Sequence, residues 1–386
     1  MARQYRTRKG IAVAAFASLT AAALSGGNVA AKTFVYVSNA DDGDVSTYTM
    51  NADGSLAPGA RVKVAGTVMP MTVSNDRKFL FVASRAKPFS VHTLAIDANT
   101  GALTPVSSAP LAESFPYISL DKTGKYLLGA SYGAHLVSVN AVGADGKVSE
   151  PQQVIPIGRN AHSIRVDETN QYVFVPSLGN DQIFQFRFDP ATGRLASNTP
   201  AVFLMNMNTG PRHFITSADN KFVYVLSEFL ATVTTFALDA KTGTLTQVSS
   251  ASALPPDSKL QPGAARLPVG APGSPPPRNL DNDIWAADLH LTPNGKYLYA
   301  SERTSSTIGA FAVDGATGKL TYLGSTPTEK QPRGFRIDKA GKYMVVSGEK
   351  SETVSTYSIQ DNGSLQAVGK YPVGKGANWV EIVSFD

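Results

Sequence analysis

Side chains that can bind or transfer charge recur in this 386-residue chain at two fixed distances from a repeated aromatic residue. Ten residues before the aromatic stand His162, Arg212 and Arg333, and six residues after it stand Arg85, Tyr132, Glu228, Arg303 and Glu349. A repeat does not need charge at these positions in order to fold, so their recurrence indicates a polar pocket. Arginine binds carboxylate and phosphate through paired hydrogen bonds and keeps its charge in a pocket. The set predicts a site for a small anionic molecule; a solvated rim of salt bridges is the alternative explanation.

Two members of this set, Glu228 and His162, could also take a proton from water. Carboxylates and imidazoles both serve as general bases, and histidine titrates near neutral pH. Both residues are therefore candidates for the base. His162 considered alone could equally be a hydrogen-bonded structural residue.

Three further residues lie next to the recurring positions. His213 follows Arg212, and strict alternation along a strand turns it towards the opposite face, which predicts a structural partner. Asp288 and His290 share one face, and Asp288 is one residue from the recurring position. We expect Asp288 to hold a catalytic side chain in place and His290 to be structural.

The composition argues against several kinds of chemistry. The chain has no cysteine, which excludes disulfides and thiol catalysis. It has no His-x-His pair, and an arginine-rich pocket repels divalent cations, so we predict no metal. We find no phosphate-binding loop or dinucleotide fingerprint, and we predict no cofactor.

The elements that must position these residues repeat seven times. Each repeat opens with an apolar strand led by an aromatic residue, and most repeats end with a turn of the type Thr-Gly-x-Leu or Asp-Gly-x-Leu. The leading aromatics are Phe34, Phe79, Tyr126, Tyr172, Phe222, Tyr297 and Tyr343. Their spacings are 45, 47, 46, 50, 75 and 46 residues, close to the roughly 40 to 50 residues of a four-stranded propeller blade. The sequence predicts an all-β, seven-bladed β-propeller, in which the recurring side chains meet at one mouth of the channel.

The two ends of the mature chain complete one blade. The segment 378–383 resembles an inner strand with no blade after it, whereas the chain after the leader begins at the second strand of a blade, 34–37. We expect these strands to pair and close the ring, which removes two exposed sheet edges.

Residues 1–31 have the pattern of a Sec-type secretory signal: a basic start, an apolar stretch from Gly10 to Leu24, and small residues Val29 and Ala31 before the expected cleavage point. We expect a periplasmic or secreted protein with no membrane anchor after cleavage; an uncleaved anchor is the alternative. Net charge is only +5, and four of the positive charges lie in the leader, so nucleic acid is not an expected partner. Residues 32–386 are expected to form a single domain, a monomer or weak dimer.

The long gap between two repeats holds a Pro-rich insertion at about 254–281. Its proline and glycine content argues against regular strand. Long irregular insertions in compact domains are usually lids, binding loops or disordered segments. We leave a lid over the channel and a mobile surface loop as alternatives.

Several short motifs together resemble the seven-bladed propeller lactonase family, which includes bacterial 6-phosphogluconolactonase and fungal carboxy-muconate cycloisomerase. The motifs are Ala161-His162-Ser163, Gly210-Pro211-Arg212-His213, Ser227-Glu228, Trp285-Ala286-Ala287-Asp288-Leu289-His290, Ser301-Glu302-Arg303-Thr304, Gln331-Pro332-Arg333-Gly334-Phe335 and Gly348-Glu349-Lys350. The resemblance covers the chain after the leader. It implies hydrolysis of a sugar lactone without metal.

In that family the matching positions line the active site. The resemblance therefore implies the catalytic residues Glu228, His162, Arg212 and Arg303, and we add the substrate-binding residues Arg333, Arg85, Tyr132, Asp288 and Glu349. The expected substrate is a small anionic lactone, either phosphorylated or not. Replacing Glu228 by Gln is expected to cut turnover and spare folding. An exported propeller that binds an anion or serves as a scaffold without catalysis is the alternative, since a fold does not fix a function.

Overall fold

A ring of seven four-stranded antiparallel sheets forms the computed structural model of the chain. The structure describes residues 1–2, 4, 32–266 and 280–385. Nearly all of the predicted leader and the middle of the predicted Pro-rich insertion lie outside these residues. Within them, no helix is long and apolar enough to cross a membrane.

Each blade contributes one sheet, numbered here from the blade that holds both ends of the chain. Blade one contains β28 (Ala377–Phe385), β1 (Lys32–Asn39), β2 (Asp44–Met50) and β3 (Leu56–Lys63). Blade two contains β4 (Val68–Val73), β5 (Phe79–Ser84), β6 (Ser90–Ile96) and β7 (Leu103–Pro110). Blade three contains β8 (Tyr117–Leu120), β9 (Tyr126–Ser131), β10 (Leu136–Val142) and β11 (Val148–Pro156). Blade four contains β12 (Arg165–Val166), β13 (Tyr172–Ser177), β14 (Gln182–Asp189) and β15 (Arg194–Leu204), with a 3-10 turn at Leu178–Asn180.

The remaining blades follow the same order. Blade five contains β16 (Pro211–Thr216), β17 (Phe222–Ser227), β18 (Thr232–Asp239) and β19 (Thr244–Ser252). Blade six contains β20 (Ala286–Leu291), β21 (Tyr297–Glu302), β22 (Thr307–Val313) and β23 (Leu320–Pro327). Blade seven contains β24 (Pro332–Ile337), β25 (Tyr343–Gly348), β26 (Thr353–Ile359) and β27 (Leu365–Pro372). The predicted seven-bladed architecture is confirmed, and each predicted leading aromatic lies at or near the start of the second strand of its blade.

The predicted closure by the two chain ends is also confirmed. β1 pairs with β28 along its whole length, from Lys32 opposite Phe385 to Asn39 opposite Ala377. The innermost strand of blade one is therefore supplied by the end of the chain and the other three by its beginning. Because β1 and β28 pair, the ring is closed at the point where the two ends of the chain meet.

The repeated aromatic and the repeated glycine turn pack against each other between blades. The ring of Phe34 lies against Gly101 in the next blade, and the ring of Tyr343 lies against Gly54, which closes the circle. The other five pairs are Phe79 with Gly146, Tyr126 with Gly193, Tyr172 with Gly243, Phe222 with Gly318 and Tyr297 with Gly363. Each of these glycines has a positive φ, so the turn and the aromatic contact both favour a residue without a side chain. The leading aromatic of one blade and the glycine turn of the next thus hold neighbouring blades together.

Candidate active site

Three buried charged residues form the centre of the site, at the end of the channel where the innermost strands begin. Oε2 of Glu228, just after β17, accepts hydrogen bonds from Arg212 Nε at 2.7 Å and from Arg303 Nη2 at 2.9 Å. The three residues are 3%, 0% and 1% exposed, respectively. Each side chain stands at the end of its strand that faces this mouth, as antiparallel pairing of the two innermost strands requires. Two guanidinium groups therefore share one carboxylate in a site with little access to water.

Backbone carbonyl groups of blade six hold both guanidinium groups in place. Arg212 Nη1 donates to the carbonyl of Ala287. Arg303 donates through Nε to the carbonyl of Trp285 at 3.0 Å and through Nη2 to that of Ala286 at 3.1 Å. Trp285 and the first two residues of β20 thus supply three acceptors, which hold the two arginines in place without help from solvent.

A second chain of hydrogen bonds fixes Arg212 from the channel side. His213 Nδ1 lies 2.9 Å from Asp288 Oδ1, and His213 Nε2 lies 3.1 Å from Arg212 Nη1. Since a guanidinium nitrogen can only donate, Nε2 is the acceptor and Nδ1 carries the proton that is donated to Asp288. The other carboxylate oxygen of Asp288 lies 3.1 Å from His290 Nε2. Asp288 therefore positions His213, and through it Arg212.

Burial and neighbouring charge keep the histidine of this chain neutral. Burial, followed by the charge of Arg212, lowers the pKa of His213 to about 3. Burial alone would raise the pKa of Asp288, but its interactions with His290 and His213 outweigh that effect and hold it well below the usual range. The site at neutral pH therefore has a carboxylate at Asp288 and a neutral imidazole at His213.

The expectation that His213 faces away from Arg212 is wrong. Pro211 is opposite Ser227 and Phe214 is opposite Val225, so β16 has one more residue than β17 between these pairs. Such a bulge brings two consecutive residues to the same side of a strand. Blade six has an equivalent shift between Ala286 and Leu289, which includes Asp288. The bulges explain why His213 and Asp288 meet in neighbouring blades.

His162 lies beside this cluster and is 5% exposed. Its ring packs edge-on against those of His213 and Tyr132, with centroids 5.2 and 5.7 Å away. Burial first, and then the charge of Arg212, holds its pKa well below the ordinary value of 6.5. Within the described part of the chain, two buried side-chain atoms here have no hydrogen-bond partner, His162 Nδ1 and Arg212 Nη2. A buried polar atom without a partner is unfavourable, so both atoms are suited to bind a polar ligand.

The other predicted residues lie nearer to solvent. Arg333 Nη1 is 3.3 Å from Glu349 Oε1, and Arg85 Nε donates to Ser114 Oγ at 2.8 Å. Burial and the charge of Arg333 lower the pKa of Arg85 to about 10, which leaves it protonated at neutral pH. Arg85 and Glu349 line a cavity of about 790 Å³. The predicted set thus divides into a buried group and a group at the mouth, and Tyr132 contacts the buried group through His162.

Trp285 and Arg266 are parts of the site that the sequence positions do not predict. The guanidinium carbons of Arg266 and Arg303 lie 3.5 and 3.6 Å from the centroid of the Trp285 ring. Trp285 also lines the cavity with Arg85 and Glu349. The Trp-Ala-Ala-Asp motif marks the first residue, whereas no spacing rule distinguishes an arginine in an irregular insertion.

One serine in this region matches a nucleophile pattern but lacks its geometry. Residues 129–133 read Gly-Ala-Ser-Tyr-Gly, the pattern found at the strand-to-helix turn of serine hydrolases. Here Ser131 ends a strand, and its Oγ donates to the carbonyl of Ser114 at 3.0 Å. Ser131 is therefore a structural residue. The described residues also contain no group of three or more His, Asp or Glu side chains arranged to hold a metal ion.

Comparison with known proteins gives a consistent set of relatives. The family model described as "Lactonase, 7-bladed beta-propeller" matches residues 32–382. The chain is 34% identical to the 6-phosphogluconolactonase of Pectobacterium carotovorum, over 91% of this chain and 99% of that protein. It is 35% identical to the 6-phosphogluconolactonase of Serratia proteamaculans, over 92% and 99%. The structure of the Pseudomonas aeruginosa periplasmic gluconolactonase superposes with a TM-score of 0.78 at 24% identity, over 92% of this chain and 100% of that one.

Proposed function

Because the chain belongs to the seven-bladed β-propeller lactonase family, we propose that it opens an acidic sugar lactone by hydrolysis in the buried site. The observation that carries this proposal is the pair of unpartnered buried atoms, His162 Nδ1 and Arg212 Nη2. A neutral imidazole can accept a proton from water, and a guanidinium N–H can stabilise a developing oxyanion. The two atoms supply the two interactions that ester hydrolysis requires.

In the proposed reaction His162 is the general base. Water loses a proton to His162 as its oxygen attacks the lactone carbonyl carbon, and the negative charge that forms on the carbonyl oxygen is stabilised by Arg212. The ring C–O bond then breaks, the former ring oxygen takes the proton back from the imidazolium, and the product is the open hydroxy acid. Glu228 is assigned to holding Arg212 and Arg303, because both guanidinium groups contact its Oε2.

Electrostatics support a substrate that carries its own negative charge. Arg212, Arg303, Arg333 and Arg85 lie with the carboxylates Glu228, Asp288 and Glu349 in this part of the channel. After burial, the charges of Arg212, Arg333 and Arg303 lower the pKa of His162 further. An anionic substrate offsets these charges and so makes the imidazole a better proton acceptor when the substrate is bound. We therefore assign an aldonolactone, and its 6-phosphate as the leading candidate because the curated relatives are named 6-phosphogluconolactonases.

Acid release measured in a pH-stat tests the proposed function. The substrates are gluconolactone, its 6-phosphate and muconolactone, and the rate without protein is subtracted because lactones open spontaneously. We expect protein-dependent acid release with at least one of the two aldonolactones. Rates equal to the spontaneous rate for all three substrates would contradict the proposal and favour a non-catalytic propeller.

We also propose export of the mature chain, which rests on the basic, apolar and small-residue pattern of residues 1–31. Expression of the full chain in a bacterial host followed by N-terminal sequencing of the periplasmic fraction tests this proposal. A start at Lys32 is expected. An intact leader on protein in the cytoplasmic fraction would contradict it.

A further inference from the structure

The cavity at the mouth of the channel extends from the reacting centre to the other side of the ring. Trp285, whose ring centroid lies 3.6 Å from the guanidinium carbon of Arg303, lines one part of its wall. Arg85, which follows β5 in blade two, lines another part. Blade two is three blades away from blade five, which supplies Arg212, and no two blades in a ring of seven are further apart. A ligand whose carbonyl group contacts Arg212 therefore reaches Arg85 only with a remote part.

The side chain of Arg85 has only uncharged acceptors in the protein. Its Nε donates to Ser114 Oγ at 2.8 Å, and its Nη1 donates to Met69 Sδ at 3.2 Å. A thioether sulfur is a weak acceptor, and a guanidinium group has five N–H donors. Among the described residues, Arg85 Nη2 has no hydrogen-bond partner and no carboxylate lies within salt-bridge distance of Arg85. Most of the donors of this half-buried side chain are therefore free for a ligand.

Two other arginines of the site differ from Arg85 because each has a carboxylate partner. Arg303 occupies the equivalent position of blade six, and it donates to Glu228 at 2.9 Å. Arg333 lies 3.3 Å from Glu349. The charge of Arg85 is thus not part of a structural ion pair. A half-buried guanidinium group without a counter-ion is suited to bind an anion.

The charges of the whole site are balanced, so a general positive field does not explain anion binding at one place. The cavity wall has three cationic and three anionic side chains: Arg85, Lys87, Lys350, Asp41, Glu113 and Glu349. Around the buried cluster, four arginines lie with four carboxylates: Arg212, Arg266, Arg303, Arg333, Glu228, Asp283, Asp288 and Glu302. Preference for an anion must therefore come from local contacts.

The charges that act most strongly on Arg85 favour an added anion beside it. Burial and then the charge of Arg333 lower the pKa of Arg85 to about 10, and Glu349 offsets this effect only in part. Arg85 stays protonated at neutral pH, although its surroundings disfavour the charge. An anion bound beside Arg85 reduces that unfavourable effect.

We propose that Arg85 and the hydroxyl group of Ser114 form a specificity subsite for an acidic group of the substrate at the end remote from the lactone carbonyl. The proposal rests on the proposed function for the identity of the ligand. Ser114 Oγ accepts from Arg85, and among the described residues its own hydroxyl proton has no acceptor. A guanidinium group binds phosphate and carboxylate through paired hydrogen bonds, so the acidic group is a phosphate monoester or a carboxylate.

Isothermal titration calorimetry with the open-chain acids tests the proposal without requiring turnover. The ligands are gluconate 6-phosphate, glucarate and gluconate, which carry a remote phosphate, a remote carboxylate and no remote acid. The proteins are the wild type, Arg85→Gln and the matched control Lys87→Gln, which removes an exposed positive charge from the wall of the same cavity. We expect Arg85→Gln to weaken binding of a doubly acidic ligand about tenfold or more. Gluconate binding should be unchanged, which also shows that the variant is folded, and Lys87→Gln should equal the wild type.

The ligands also separate the two kinds of acidic group. A loss confined to gluconate 6-phosphate assigns phosphate, a loss confined to glucarate assigns carboxylate, and a loss with both assigns a subsite that accepts either. Ser114→Ala, which leaves the charge of Arg85 in place, is expected to weaken the same ligand by a smaller factor.

Three results would overturn the subsite. They are equal affinities of the wild type and Arg85→Gln for both doubly acidic ligands, an equal loss with gluconate or with Lys87→Gln, and a wild type that binds neither doubly acidic ligand more tightly than gluconate. Binding that depends on Arg85 in a protein without acid release in the pH-stat upholds the subsite and refutes the hydrolase. Acid release without this dependence refutes the subsite and leaves the hydrolase in place.

Discussion

At the scale of single residues, the site depends on how buried charges and buried neutral groups are combined. Glu228 neutralises part of the charge of two buried guanidinium groups, whereas His162 and His213 stay neutral because burial and Arg212 oppose their protonation. A charged cluster thus surrounds an imidazole that can accept a proton. The same buried residues therefore affect both the free energy of unfolding and the activity.

Replacement of Glu228 by Gln is expected to lower both activity and stability. Gln keeps the shape but leaves two buried arginines without their shared counter-charge, which typically costs about 3 to 5 kcal/mol. The structure thus revises the expectation from sequence that this change spares folding. Urea unfolding and pH-stat rates of the variant measure the two effects, with Glu352→Gln on the surface of blade seven as the control. A variant as stable as the wild type would contradict the shared role of Glu228.

The free energy of unfolding is expected to fall as the pH drops below about 6.5. His162 and His213 have pKa values below 6.5 in the folded protein and ordinary values when unfolded, so the unfolded chain binds more protons in acid. Stability is therefore complete above pH 6.5 and decreases by up to about 1.4 kcal/mol per pH unit for each histidine below it. Urea unfolding between pH 5 and 8 measures the slope. His162→Asn is expected to reduce it, and an unchanged slope would show that His162 titrates in the folded protein as it does in the unfolded chain.

At the scale of elements, the sequence repeat predicts the strands but not their irregularities. The leading aromatics and the glycine turns are visible because they recur at blade spacing, and the structure uses both in the contacts between blades. The bulges in β16 and β20 leave no equivalent signal, since they depend on strand pairing. For that reason strict alternation predicts the wrong face for His213, whereas Arg212 and Glu228, which lie at strand ends, are in contact.

The contact between aromatic and glycine can be tested with two glycines of nearly equal φ. Gly318 has a φ of +70° and lies against Phe222, whereas Gly295 has a φ of +69° and no atom within 4 Å of an added Cβ. Gly295→Ala is expected to lose only the backbone preference, about 1 kcal/mol. Gly318→Ala adds overlap with the ring and should lose at least about 1 kcal/mol more. Urea unfolding of both variants measures the difference, and equal losses would exclude a packing role for this turn.

At the scale of the whole molecule, closure of the ring brings together residues that are far apart in sequence. Arg212, Glu228 and Arg303 come from blades five and six, and His213 of blade five packs edge-on against Trp379 of the closing strand β28. Closure therefore supports the site as well as the fold. The sequence predicted this closure because the first and last strands are incomplete blades of one repeat. It could not predict the course of the insertion, which has no periodic pattern.

Deletion of residues 377–386 is expected to abolish soluble expression. The deletion removes β28 and leaves one edge of β1 unpaired at an open seam, which favours aggregation. Soluble yield and thermal melting of the truncated chain measure the effect. A soluble protein that melts at the wild-type temperature would show that the ring does not depend on this strand.

The most direct test of His162 as the general base is the pH-stat rate of aldonolactone opening by His162→Asn, compared with the wild type and with His92→Asn in the outer part of blade two. Asn keeps a polar group in the pocket but cannot take a proton from water. We predict a fall in kcat of about 100-fold or more for His162→Asn and wild-type turnover for His92→Asn. Full turnover by a folded His162→Asn protein would contradict the assignment of the base and, with it, the proposed reaction at this site.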